Sequence, residues 1–441
     1  METNELMLEA KDLNQQGLML LKARNIEGAK EKFEKAIEIE PMLMDSYKNY
    51  GDLYLVSEEY EKAKNFYKKA LLIEKSGEVY FQYGNACFMS DELHEGLEYY
   101  NLALSAGYDS DEMYFFMGLA YEHMDDQNMA LRYIHKAIAK NPSRPDYKAK
   151  KALLLIEMGT LEEAEKTVDE MLLSDPEIYD GYHMKTMILV QKKEYEKAVE
   201  FSKDAAERFP EDAELLHDYA KTVALVGKMD DALKILEKAK KLKYYTEAKA
   251  DFALLEAEIN AEMGNIEQAV ENCKECIACE TDNEFNSEAR FMLINLYLAQ
   301  IQFEPALEQA TAIVEQNKKD SFYFAALYYR PFCLRNLGNE EEAVRSYKEA
   351  ISLYRMATLE DYEVLEAYLY RAMCLKDIEQ YEEALEFLEF IESLSDEIAE
   401  VYTIRAEIYK STGRNSLVAT ELEKAYKIRP ELKNILGKES E

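Results

Sequence analysis

Residues Tyr47-Lys48-Asn49-Tyr50-Gly51-Asp52-Leu53-Tyr54 and Ala63-Lys64-Asn65-Phe66-Tyr67-Lys68-Lys69-Ala70 decide the fold. In the first segment Tyr47, Tyr50, Gly51 and Tyr54 are spaced 3, 1 and 3, which lines one face of a helix. In the second, Ala63, Tyr67 and Ala70 are spaced 4 and 3 and line one face of another. Between them lies the polar stretch Ser57-Glu58-Glu59-Tyr60, opening on a candidate N-cap serine. The unit reads as two short antiparallel amphipathic helices.

The unit recurs. Ala29, Ala63, Gly96, Ala130, Ala164, Ala198 and Ala232 stand 34, 33, 34, 34, 34 and 34 residues apart. Ala269, Ala306, Ala343, Ala384 and Val418 continue the series with steps of 37, 37, 37, 41 and 34. A period of this size implies stacked repeats that contact mainly their neighbours, so one elongated array needs no central core. Small residues recur at two further slots, Gly17, Gly51, Gly84 and Gly118 in one and Ala36, Ala70, Ala103 and Ala137 in the other. Small side chains let helix axes approach closely. Pro41, Pro142, Pro176, Pro210 and Pro430 stop second helices, because proline cannot donate the next helical hydrogen bond.

These residues resemble the tetratricopeptide repeat. Twelve units start near Ala10, Met44, Gly77, Asp111, Pro145, Tyr179, Ala213, Ala250, Ser287, Phe324, Leu365 and Ala399. The resemblance implies an all-α fold, a right-handed α-solenoid superhelix of about twelve helix-turn-helix repeats. The expected organisation is an N-terminal extension over 1–9, a regular array of about seven repeats over 10–243, five longer repeats over 244–432 and a short tail over 433–441. The chain has no tryptophan for the family's bulky aromatic on the first helix; Tyr47, Tyr80, Tyr114, Tyr182, Tyr368 and Tyr402 stand there. The longer steps predict lengthened helices or turns after about Lys240, with a flex point over Lys240–Lys249. Pro331, in the small slot of the tenth unit, predicts a kink or local break.

The net charge is −35, from 88 acidic and 53 basic residues. That opposes nucleic acid and anionic membrane surfaces, and favours a basic or neutral partner. Asp377 to Glu400 holds no lysine or arginine after the aspartate, and its Glu382, Glu386 and Glu389 interleave with Leu385, Leu388 and Ile391 as a solvated face opposite a buried one. The start Met1-Glu2-Thr3-Asn4-Glu5 lacks a basic n-region and an apolar stretch, so a cytoplasmic location is expected.

Cys273-x-x-Cys276-x-x-Cys279 has the spacing of an iron–sulfur run, but the fourth ligand and the following proline are missing. Cys273 and Cys276 also fall in the packing slots held earlier by Tyr67 and Ala70, so core packing is expected. His183 and His217 occupy one slot in successive units, with no carboxylate orienter or third ligand identifiable from the sequence. No phosphate loop, nucleophile elbow or paired-histidine zinc helix occurs. No enzymatic activity, cofactor or metal is expected.

The resemblance places first helices on the inner, concave surface. There it puts Lys48, Asp52, Phe81, Asn85, Phe115, Leu119, His183, Met187, His217, Lys221, Phe291, Asn295 and Tyr328 as partner-binding candidates. Some family members grip a C-terminal carboxylate with inward lysines and asparagines. Asn85 matches such a position, but Asp52 replaces another asparagine, and Phe115 and Leu119 fill polar slots, so that clamp is not expected. The functional expectation is a scaffold or adaptor that binds a protein or peptide along the groove. The alternatives are a peptide-sensing receptor, self-assembly through the ends (with Ile435 and Leu436 in the tail), and a metal or redox protein using the three cysteines. The oligomeric state is open.

Overall fold

The computed structural model of the chain describes residues 2–242, 249–279, 285–360 and 364–433. All regular secondary structure among them is α-helical. The chain divides into two compact units, Met1–Arg208 and Phe209–Glu441.

The first unit holds six hairpins. They are α1 (Glu2–Lys22) with α2 (Ile26–Ile39), α3 (Met44–Val56) with α4 (Tyr60–Ile73), α5 (Gly77–Met89) with α6 (Leu93–Ser105), α7 (Asp111–His123) with α8 (Gln127–Lys140), α9 (Pro145–Glu157) with α10 (Leu161–Ser174), and α11 (Tyr179–Gln191) with α12 (Tyr195–Arg208). The second unit holds six more. They are α13 (Ala213–Leu225) with α14 (Met229–Ala239), α15 (Lys249–Glu262) with α16 (Ile266–Ile277), α17 (Asn286–Ala299) with α18 (Phe303–Gln316), α19 (Ser321–Asn336) with α20 (Glu340–Glu360), α21 (Leu365–Asp377) with α22 (Tyr381–Leu394), and α23 (Ala399–Ser411) with α24 (Asn415–Ile428). The expected all-α solenoid of about twelve hairpins is therefore present. Eight first helices begin at the residue read from the sequence; α1 begins earlier, so residues 2–9 extend the first inner helix.

The turn inside each hairpin has one construction. A residue in the left-handed region stands five before each member of the recurring series, ten alanines with Gly96 and Val418: Arg24, Glu58, Asp91, Asp125, Gly159, Lys193, Gly227, Gly264, Ile301, Gly338, Glu379 and Gly413. The next residue donates its N–H to the carbonyl five back, as Asn25 does to Leu20 at 2.9 Å and Arg414 to Tyr409 at 2.8 Å. This closes the helix C-terminus and reverses the chain in about three residues.

Packing follows the small slots. Ala29, Ala63, Ala130, Ala164, Ala198, Ala232, Ala269, Ala306, Ala343 and Ala384 have no exposed surface. At Gly51 a Cβ would lie 2.4 Å from Tyr67 Cε1, and at Gly84 2.5 Å from Tyr100 Cε1. The glycines admit the tyrosine rings between the two helices of their own hairpin. In the first unit α1 touches α3, α3 touches α5, α5 touches α7 and α9 touches α11, whereas no two even-numbered helices are in comparable contact among the described residues. The odd helices therefore crowd together on the concave side of that unit.

Two expectations about irregularity resolve differently. The longest step, from Ala343 to Ala384, coincides with a 21-residue α20, where second helices of the first unit have 13 or 14 residues. The expected break at Pro331 does not occur: α19 runs through it as one helix of 16 residues, with Pro331 buried. Contacts of α19 with α18, α20 and α21 hold both sides of the proline, and they outweigh the single hydrogen bond it cannot make. Most of the expected flex point and both Ile435 and Leu436 lie outside the described residues.

Candidate functional site

Counting from the first residue of each repeat, the fifth and ninth positions of the inner helices hold the sequence-derived candidates. In the first unit, Lys48 Nζ lies 2.6 Å from Glu78 and 3.7 Å from Asp52. Burial opposes the Lys48 charge, but Asp52 and Glu78 hold its pKa above the ordinary lysine value. Burial raises the Asp52 carboxyl, against Lys48 and the Tyr67 hydroxyl, which donates to it at 2.8 Å. One repeat on, Tyr100 donates to Asn85 Oδ1 at 2.9 Å.

The ninth position thus answers to the core. In the first unit, where position 24 is a tyrosine, its hydroxyl passes the glycine at position eight and reaches a polar partner at position nine, Asp52 or Asn85. Where position 24 is Phe33 or Ile134, position nine is Leu18 or Leu119. Asp52 and Asn85 are anchors for buried hydroxyls.

The remaining candidates of this unit divide. Phe81 is 2% exposed, enclosed by Tyr100, Tyr108 and Phe116 at ring distances of 5.9, 5.1 and 6.2 Å. It is a core residue that a ligand cannot touch. Phe115 and Leu119 are half-buried on one face of α7, and Phe115 stacks on Tyr147 at 4.7 Å. Phe88, a half-buried neighbour absent from the sequence-derived set, packs against Phe116 at 5.7 Å. His183 and Met187 are also half-buried.

In the second unit, His217 is buried beside Phe252, with Nε2 3.4 Å from Asp251. Sequence reasoning had found no carboxylate for this histidine; Asp251 lies 34 residues on and is brought to it by the stacking of α15 on α13. Lys221 is exposed and faces Glu258, whose carboxyl is raised by burial. Phe291 is half-buried against Phe322 and Tyr329, and Asn295 is exposed. Tyr328 is buried, and its hydroxyl donates to Asp377 at 3.0 Å, so it too is a structural anchor.

Cys273 and Cys276 are fully buried in the core between α15, α16 and α17, and burial pushes the Cys273 thiol up to about 12. Burial thus favours the neutral thiol there, as a packed core residue. Cys87, Glu92 and Glu95 converge with ligand atoms within 4.8 Å. Their donors are already engaged: Lys64 Nζ bonds Glu92 at 2.7 and 2.9 Å, Tyr83 bonds Glu95 at 3.0 Å, and burial pushes the Cys87 thiol up to about 12. The lysine ammonium supplies the positive charge there, and the set does not fit a metal. No helix among the described residues is long and apolar enough to cross a membrane.

A family model described as "Tetratricopeptide repeat" matches residues 45–76 and 332–355. The Hsp70-Hsp90 organizing protein 2 of Arabidopsis thaliana is 27% identical over 178 residues, 40% of this chain; the match spans 30% of that protein's length. The structure of yeast Tom70 is similar with a TM-score of 0.48 at 15% identity, over 98% of each chain. That of YrrB, described as a TPR protein with an unusual peptide-binding site, has a TM-score of 0.37 at 25% identity, over 42% of this chain and 96% of its own. The packing register and the left-handed turn recur in all twelve hairpins, the family match falls on that register, and the chain carries the tetratricopeptide repeat at residues 45–76 and 332–355.

Proposed function

We propose that the chain is a non-catalytic scaffold or adaptor that takes a peptide segment or a partner protein along its inner helices, in the cytoplasm, with neither nucleic acid nor membrane as partner. One observation carries the reading. In the first unit α3 lies against α1 and α5, α7 against α5, and α9 against α11, with Phe115 of α7 stacked on Tyr147 of α9; on this inner side Phe115 and Leu119 remain partly exposed although they are apolar. Such side chains on a pre-formed surface suit an incoming segment with apolar anchors, at little ordering cost to the receptor. The division into a regular array to residue 243 and a longer-period array beyond it belongs to the same proposal, as two surfaces of different pitch.

The chemistry of these side chains supports a binding role. Cys273 and Cys276 of the ligand-spaced run lie in the core, and the inner Lys48 is paired with Asp52 and Glu78. The Arabidopsis relative is by name an organizing protein for two chaperones, and YrrB carries a peptide-binding site; both agree with this reading.

The test is a display selection of peptides on the intact chain, repeated on Phe115→Ser/Leu119→Ser. Circular dichroism checks that helicity is retained. Peptides that bind the intact chain and not the variant support the inner-face site; peptides that bind both equally overturn it.

A further inference from the structure

From α3 to α11 the inner face of the first unit carries a row of carboxylates beside its apolar floor, whereas the same position on α1 is the exposed Lys11. The second position of each repeat from α3 to α11 is a carboxylate: Asp45, Glu78, Glu112, Asp146 and Asp180, all exposed. A carboxylate in a helix's first turn is favourable in its own right, and outer helices have them too. What sets the inner row apart is the fate of the cations beside it.

Each of those cations is consumed within the chain. Lys48 is held by Glu78 and Asp52. Arg144 clamps Asp146 through Nε at 2.9 Å and Nη2 at 2.6 Å. Lys150 Nζ lies 2.5 Å from Glu122 Oε1. Asp45 and Glu112 enter no ion pair among the described residues, so the face retains negative charge. A ligand bearing a carboxylate would find no uncommitted cation at Lys48, Arg144 or Lys150.

Glu122 adds an independent sign. It follows Phe115 and Leu119 at i+7 and i+3, on the same face of α7. Its Oε2 is buried and accepts no hydrogen bond among the described residues. A buried acceptor left unmade is costly, and a donor arriving with a ligand relieves it.

We propose that the segment bound by the inner face of the first unit is cationic: arginine or lysine interleaved with aromatic or aliphatic anchors, the anchors seated on Phe88, Phe115 and Leu119 and separate cations reaching Glu112 and Glu122. This rests on the inner-face reading above and names its partner class. Charge complementarity selects the occupant, and the half-buried floor gives it register.

The test uses three labelled synthetic peptides of about 16 residues with the full chain, read by fluorescence anisotropy. The first alternates Lys/Arg with Phe/Leu, the second has Glu for every cation, and the third has Ser for every apolar residue. The first is expected to bind at least about tenfold tighter than either other, and to weaken about tenfold between about 50 and 300 mM salt as the charges are screened. Glu112→Gln/Glu122→Gln should weaken it at least about fivefold with helicity unchanged, whereas Glu31→Gln/Glu98→Gln, on outer helices with the same charge loss, should not. Equal binding of the acidic or serine peptide, or equal weakening by the outer pair, overturns the proposal. If Phe115→Ser/Leu119→Ser removes binding while Glu112→Gln/Glu122→Gln leaves it intact, the cationic partner falls and the inner-face site stands. If neither variant matters, both fall.

Discussion

The Tyr67 hydroxyl donates to Asp52 Oδ1 at 2.8 Å, and this one bond ties the core of a repeat to the residue it shows on its inner face. Tyr67 has no exposed surface, and its ring occupies the space that Gly51 leaves open. Asp52→Leu therefore leaves a buried hydroxyl unpaired and should cost about 1–3 kcal/mol. Tyr67→Phe in that background should recover most of the loss, since the pair then matches Leu18 with Phe33 in the first repeat. Asp52→Asn, which copies Asn85 with Tyr100, should stay within about 1 kcal/mol of the parent. Denaturant titration of the parent, Asp52→Leu, Tyr67→Phe and the double variant closes the cycle; a coupling between Asp52→Leu and Tyr67→Phe near zero would remove the anchor.

The same pair shows what could be read in advance. Eight of the twelve hairpin starts were legible to the residue because each depends on a local signal, an apolar stripe of helical spacing. Cys273 and Cys276 were legible as core because they share slots with Tyr67 and Ala70. The duties of Asp52 and Asn85 were not, since the tyrosine that each serves lies 15 residues away on the other helix. Phe81 and Phe115 share the fifth position, yet only Phe81 is covered, by Tyr108 and Phe116. Tyr328 was misplaced because its anchor, Asp377, lies 49 residues on. Periodicity assigns a slot; the neighbouring repeat decides whether that slot is open.

The glycine slot should discriminate between neighbours. A Cβ at Gly51 meets the rigid Tyr67 ring at 2.4 Å, whereas at Gly118 it meets the terminal Cδ1 of Ile134 at 2.7 Å. A methyl at the end of a side chain can swing away; a buried ring tied to Asp52 cannot. Gly51→Ala should cost about 2–3 kcal/mol and Gly118→Ala clearly less, by denaturant midpoint. Equal losses would mean that backbone shift, and not the ring, sets the cost.

Glu165 accepts from Lys185 at 2.8 Å and from Lys192 at 2.7 Å, bridging the fifth and sixth hairpins. Those two hydrogen bonds lower its pKa in the folded chain. A lowered folded value means that the carboxylate stabilises above its unfolded pKa, and that this part is lost as pH falls through the folded one. Glu165→Gln should therefore cost about 0.5–1 kcal/mol near pH 7 and progressively less as the pH falls through the lowered folded pKa. Melting temperatures of parent and variant across that range should converge toward acid; a gap that persists there would place the loss in packing.

Ile301 is the weak point of the turn that repeats through the array. It sits at φ 59° and is 75% exposed, so it pays left-handed strain while burying little. A β-branched residue is the least suited to that region, and five of the twelve equivalent turns use glycine. Ile301→Gly should raise stability by about 1 kcal/mol, the low end of the strain such a residue stores. The reverse change, Gly338→Ile in the next repeat, should lower it by a similar amount. Both are read as shifts of the denaturant midpoint. If Ile301→Gly destabilises the chain, the exposed side chain makes a contact worth more than the strain, and the turn itself becomes a docking surface to be mapped.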